Sequence, residues 1–114
     1  MKSLLIAAAL TLWAGQAAAQ ACSEIRFDRG AVSGSVTGQV SDGAPLCFSF
    51  GSGNGQTARL QLSGSDNTCF TVGGIVDCQV DFSFRTRAQS YQVRVFQLFR
   101  RPGAETFRLT LTIR

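Results

Sequence analysis

Seven arginines, Arg85, Arg87, Arg94, Arg100, Arg101, Arg108 and Arg114, fall in the last thirty residues of the chain, where Glu105 is the only acid. Guanidinium groups form bidentate, charge-assisted bonds with carboxylates and phosphates, so this asymmetry points to an acidic partner; the plainer reading is a solvated face. Catalytic chemistry has much less to draw on. The chain has no histidine, and its one lysine, Lys2, lies at the very start. A Ser/His/Asp or Cys/His site therefore cannot be assembled, and a lysine nucleophile is equally missing. The acids Asp28, Asp42, Asp66, Asp77, Asp81 and Glu105 each lie beside a turn or on the polar phase of an alternating segment. That placement, in so short a chain, argues against the cleft that paired-carboxylate hydrolysis needs. Asp66-Asn67 falls far short of the roughly six to eight oxygens that calcium takes. A non-enzyme without metal or cofactor is the expectation.

The first residues address the chain for export. Lys2 precedes an apolar run from Leu4 to Trp13, and Ala17-Ala18-Ala19 supplies the small residues of a cleavage site. Together they form a secretory signal peptide over residues 1–19, with an apolar run too short to span a bilayer of roughly 30 Å. No transmembrane segment is expected. Cleavage after Ala21 would instead leave Cys22 first and open to lipid modification, but Ala19-Gln20 is a poor context for that. Residues 20–114 then form one small secreted domain, periplasmic or extracellular, of the size that gains most from covalent staples.

Four cysteines, Cys22, Cys47, Cys69 and Cys78, are an even set in an exported chain. Their spacing lacks the short gaps of a zinc site, so two disulfides are expected. Cys69 to Cys78 is symmetric about Gly73-Gly74, a dipeptide suited to a two-residue primed turn. In that register Val72 faces Ile75 and Cys69 faces Cys78 on a non-hydrogen-bonded pair, within disulfide reach. Cys22 and Cys47 are left to pair, closing about twenty-six residues for a stabilisation on the order of 3 kcal/mol.

The elements that position these groups read as strands throughout. Thr106–Arg114 alternates without fault, with Phe107, Leu109, Leu111 and Ile113 on one face and Arg108, Thr110, Thr112 and Arg114 on the other. Ser90–Phe99 precedes it, and the two read as a closing hairpin with a basic tip, Arg100-Arg101-Pro102-Gly103. Earlier strands are expected at 24–28, at 33–40 on an edge with its glycines marking a bulge or a close backbone approach, at 46–50, and at 57–63. Beyond Cys78, Val80, Phe82 and Phe84 fall out of phase with Phe70 and Val72, which predicts a break near Gln79 and a separate strand over 80–85. Gly51–Gln56 joins two strands and opens no helix, so it is a turn rather than a phosphate cradle. Seven to nine short strands with glycine-rich turns predict an antiparallel β-sandwich, jelly-roll-like, without significant helix after the leader.

Phe27, Gly30, Ser33, Gly38, Gly55-Gln56, Tyr91, Arg94-Val95 and Gln97, followed by the alternating last strand, carry a resemblance over nearly the whole mature chain. The chain resembles small bacterial sandwich domains of the pre-peptidase C-terminal type and, more narrowly, periplasmic inhibitors of goose-type lysozyme. The resemblance implies a protein that blocks a lysozyme's acidic cleft with basic loops. Arg100 and Arg101 are the first candidates for such contacts, and Tyr91 with Arg87 and Ser90 the second. The chain departs from the family in carrying Ala88-Gln89-Ser90 ahead of the tyrosine, where such inhibitors often place Ser-Gly. A polysaccharide or envelope polyanion is the alternative partner, and a structural envelope domain a further one; nucleic acid is not expected for an exported protein. An exposed Phe96, Leu98 or Phe99 beside Arg100-Arg101 would favour a protein partner, because interfaces need an apolar anchor beside charge.

Overall fold

Alternation with one buried phase runs through almost every segment, and such strands must pair in sheets that share their apolar faces. The computed structural model describes residues 21–114; the expected leader, residues 1–19, lies outside them. The nine strands are β1 (Ser23–Glu24), β2 (Ser33–Val40), β3 (Leu46–Ser52), β4 (Thr57–Ser63), β5 (Thr68–Val72), β6 (Val76–Gln79), β7 (Asp81–Arg85), β8 (Gln89–Gln97) and β9 (Glu105–Ile113). One sheet has the order β1-β3-β8-β5-β6 and the other β2-β9-β4-β7, antiparallel except for the short parallel pair β1 and β3. No helix occurs among the described residues. This is the expected all-β sandwich.

The core lies between the two central strands. Phe107, Leu109 and Leu111 of β9 are at most 1% exposed, and Val93 and Val95 of β8 are fully buried. Burial of each such side chain contributes about 1.5–3 kcal/mol relative to leaving it in water. Phe48 meets Phe107 edge to face across the layers, with ring centroids 6.1 Å apart. The same burial overturns the expected closing hairpin. β8 pairs with β3 and β5, whereas β9 pairs with β2 and β4, so the two are the middles of opposite sheets and not partners. The segment between them, residues 98–104, crosses from one layer to the other. Alternation marks a buried face, and two strands facing each other across a core carry that mark as well as two strands side by side.

β2 is an edge strand, as its glycines suggest. A Cβ on Gly34 would stand 2.5 Å from the Arg26 carbonyl oxygen, and one on Gly38 would stand 3.0 Å from the Leu46 and Phe107 side chains. Both positions are close approaches: Gly34, against backbone, admits only hydrogen, whereas at Gly38 the Leu46 and Phe107 side chains would have to give by a few tenths of an ångström. The first strand is shorter than expected, Ser23–Glu24, although Ile25 beyond it is buried.

Both expected disulfides form, Cys22 with Cys47 and Cys69 with Cys78. The register that suggested the second differs from the one found. Val72 pairs with Val76 and Phe70 with Gln79, so Ile75 belongs to the turn and β6 carries an extra residue. Ile75 N–H donates to the Val72 carbonyl at 2.9 Å, and only Gly74 of the two glycines has positive φ, +77°, which is a type II pattern rather than a primed one. The extra residue is Cys78, at φ +35°. Such a backbone costs about 1–3 kcal/mol. Its N–H donates to Thr71 Oγ1 at 3.3 Å, and its sulfur is tied to Cys69, so the bulge is held from two sides.

The expected break follows at Val80. Leu62 of the other sheet donates to the Val80 carbonyl at 2.8 Å, so the chain turns a corner between layers there. Bulge and corner each shift the side-chain phase by one, which lets Val76, Phe82 and Phe84 all pack on the core.

Candidate functional site

The crossover 98–104 gathers the charged tip and two exposed apolar side chains at one end of the sandwich. Phe99 is 71% and Leu98 40% exposed, directly ahead of Arg100 and Arg101. Phe96, still within β8, is half-buried. Arg100 Nε lies 3.2 Å from Asp42 Oδ1, and Arg101 Nη1 lies 3.6 Å from Glu105 Oε2. Ser41, Asp42 and residues 100–103 line a shallow groove of about 500 Å³. Both ion pairs are largely solvent-exposed on the arginine side, so they orient the guanidiniums and contribute little stability.

What fixes the crossover is Asn67, which is 1% exposed. Phe99 N–H donates to Asn67 Oδ1 at 3.0 Å, and Asn67 Nδ2 donates to the Phe99 carbonyl at 2.9 Å and to Glu105 Oε2 at 3.0 Å. Leu98 N–H donates to the Asn67 carbonyl at 2.8 Å, and Ser65 Oγ donates to Glu105 Oε1 at 3.0 Å. The side-chain amide thus substitutes for a strand partner along Leu98-Phe99, and the backbone is rigid where the phenylalanine ring stands in water. The sequence offers Asn67 only as half of an Asp66-Asn67 pair too small for calcium, and Glu105 as a solvated acid. The only hint was that Glu105 stands alone among arginines.

The hydrogen bond from Asn67, with that from Ser65, holds the Glu105 carboxyl below its ordinary range; Gln97 and the charge of Arg101 add to this, against partial desolvation. A carboxyl depressed in the folded state adds stability above its unfolded pKa and loses it as pH falls through the folded value. Acid titration should therefore loosen the Leu98–Arg101 segment below the usual glutamate range. Amide exchange of Phe99, followed from neutral to acid pH, should report that loosening once its intrinsic pH dependence is removed, and Glu105→Gln should flatten the response.

Arg87, Ser90 and Tyr91 lie elsewhere. They stand at the start of β8 and the arginine tip follows its end, so a nine-residue strand, roughly 30 Å long, separates the two candidate clusters. Arg87 and Ser90 are exposed. Tyr91 is 4% exposed, stacks on Phe50 at 5.4 Å and meets Phe84 edge to face at 5.1 Å. Its hydroxyl accepts from Arg87 N–H at 2.9 Å. Tyr91 therefore holds the loop that carries Arg87. Beside it, Gly53 N–H donates to Gln56 Oε1 at 2.7 Å within the glycine-rich turn and Gly55 N–H donates to the Thr86 carbonyl at 2.7 Å, so both amides are already engaged within the protein. Among the described residues, no three His, Cys, Asp or Glu side chains gather as metal ligands would.

No family model matches the chain, and no curated protein sequence matches it. Solved structures do. The chain is similar to Aeromonas hydrophila PliG, a periplasmic lysozyme inhibitor of g-type lysozyme, with a TM-score of 0.70 and 20% identity over 82% of this chain and 96% of that one. It is also similar to Salmonella Typhimurium PliG, another periplasmic inhibitor of g-type lysozyme, with a TM-score of 0.67 and 16% identity over 84% of this chain and 100% of that one. A mutant of the Escherichia coli PliG inhibitor aligns with a TM-score of 0.65 and 16% identity, over 81% of this chain and 96% of that one. Likeness at these identities establishes a shared fold.

Proposed function

We propose that the chain is an exported, non-catalytic binding protein that inhibits a lysozyme, docking in the enzyme's cleft through the end of the sandwich formed by residues 98–103. The observation that carries this reading is Phe99, 71% exposed on a backbone clamped by Asn67, with Arg100 next to it. An apolar ring on a rigid segment is an anchor that loses little entropy on binding. Arg100 and Arg101 add donors suited to the carboxylates of a muramidase cleft. The PliG inhibitors share the fold over nearly their whole length, which supports both the class of partner and a periplasmic location. Arg87 and Ser90, at the other end, would serve only a partner that reaches along the sandwich, so they are a secondary contact.

Purified protein lacking residues 1–19 should be titrated against goose-type, chicken-type and invertebrate-type lysozymes acting on a cell-wall substrate. Inhibition of the goose-type enzyme is the expected result. No effect on any of the three at micromolar excess overturns the proposal.

A further inference from the structure

The outer face of the β2-β9-β4-β7 sheet is unlike the rest of the molecule. Strand register sets out what it displays. Ser33, Thr112, Arg59 and Ser83 form one row across the four strands, and Ser35, Thr110, Gln61 and Asp81 form the next. Thr57 lies between Arg85 on β7 and Arg114 just past β9, whose backbone exchanges hydrogen bonds of 2.9 and 3.0 Å with Thr57. Arg85, Arg114 and Arg59 thus form a triangle around Thr57, with Arg108 further along β9. Among the described residues Asp81 is the only acid in the outward phase of these four strands, and Asp28 borders the face in a groove shared with Ser33, Ser35 and Arg108. Among the described residues of these strands no aliphatic or aromatic side chain takes the outward phase, because Phe82, Phe84, Leu60, Phe107, Leu109 and Leu111 take the opposite one.

The triangle borders a cleft of about 300 Å³ lined by Thr57, Arg59, Gln61, Ser83, Thr112 and Arg114. Arg59 is held in place by Asp81 through two bonds, Nε to Oδ1 at 3.0 Å and Nη2 to Oδ2 at 2.7 Å. Two of its five N–H groups are used, and three remain for a ligand. Among the described residues, Arg85, Arg108 and Arg114 have no acidic partner within ion-pair distance. Arg85 reaches toward the Gly55 turn at the rim, with Nη2 3.9 Å from where a Gly55 Cβ would stand. Two Ser–Thr pairs, Ser33–Thr112 at 2.8 Å and Ser35–Thr110 at 2.9 Å, keep the neighbouring hydroxyls ordered.

The geometry points to this face as a second binding site, for a polysaccharide that carries carboxylates. A protein interface would need an apolar anchor, and the face has none. Single-stranded nucleic acid would need aromatic platforms, and a lipid surface would need apolar side chains to insert. Hydroxyls, an amide and guanidiniums instead suit a hydrated polymer with hydroxyl and carboxylate groups, and rows of them running across four strands suit an extended chain. The site is separate from the Phe99 end, because the crossover enters β9 at Glu105 whereas the cleft lies at Thr112 and Arg114, the far end of that strand. A chain held through it to an acidic polymer would keep its inhibitory end available.

Polygalacturonate is the probe. Binding at low salt, with dextran as the neutral counterpart, should be lost progressively as salt is raised. Arg85→Gln with Arg114→Gln should weaken binding about tenfold or more through the lost charge-assisted bonds, and Ser83→Glu, which places a carboxylate in the cleft, should do likewise. Neither variant should change the lysozyme titration, which keeps the two readings distinguishable. Failure of the wild-type protein to bind polygalacturonate overturns the inference. So do equal binding of dextran, equal binding by both variants, or binding confined to phosphatidylglycerol vesicles or single-stranded DNA.

Discussion

Asn67→Ala should lower the unfolding free energy by about 3 kcal/mol and release the segment that carries Phe99. The residue is 1% exposed, and its amide serves both backbone groups of Phe99 as well as Glu105. Truncation strands a donor, an acceptor and a carboxylate oxygen at once, and each stranded buried group costs about 1–3 kcal/mol. Glu105 Oε2 keeps its contacts with Gln97 and Arg101, which holds the sum to its low end, about 3 kcal/mol. Urea unfolding gives the stability change, and amide exchange at Leu98 and Phe99 gives the release. Asn67→Asp makes a sharper test. It keeps an acceptor for the Phe99 N–H but sets a second carboxylate beside Glu105, and two like charges raise one pKa of the pair. That variant should recover stability as the pH falls from neutral toward 4, where the pair takes up a proton, while the wild type does not. A parallel pH profile for the two proteins would show that Asn67 and Glu105 do not act together.

Phe99→Ala should weaken lysozyme inhibition by about 30- to 1,000-fold, the range for losing an aromatic anchor of about 2–4 kcal/mol. The ring is 71% exposed in the free protein, so its removal should leave the melting temperature unchanged. That separation of binding from stability is the diagnostic. Arg100→Ala and Arg101→Ala should each cost less, because their charges are already engaged with Asp42 and Glu105 and are screened by water. A Phe99→Ala protein that inhibits as well as the wild type would move the docking surface away from this end.

The strands themselves were readable from periodicity. Thr57–Ser63 and Ser33–Val40 stand as expected, and the last strand is displaced by one residue. Partnership was not readable, since Val93 and Leu109 are equally apolar whether their strands lie in one sheet or face each other in two. The seven residues from Leu98 to Ala104 were the missed clue, being longer than a tight hairpin needs and able to step between layers about 10 Å apart. Cys69 and Cys78 were paired correctly through a register that does not occur, because a type II turn and a bulge offset one another. Of the candidate site, composition exposed the arginines and the order of residues placed Phe99 beside them. Asn67 left no trace, since its role depends on a crossover that only the tertiary fold creates.

The layer-crossing of Leu98–Ala104 is the rule in this molecule. From β1 to β9 the chain changes sheets at every connection except the one between β5 and β6, which form its single hairpin of successive strands. Almost no sheet pairing is therefore local in sequence, and neither sheet can assemble while the other waits. Both layers must close together through pairings distant in sequence, such as β2 with β9 and β3 with β8, a route that places folding on the order of milliseconds to seconds. The same threading works in reverse: a protease that finds one opened strand must wait for the whole sandwich to come apart, so resistance to digestion should follow global unfolding rather than local fraying.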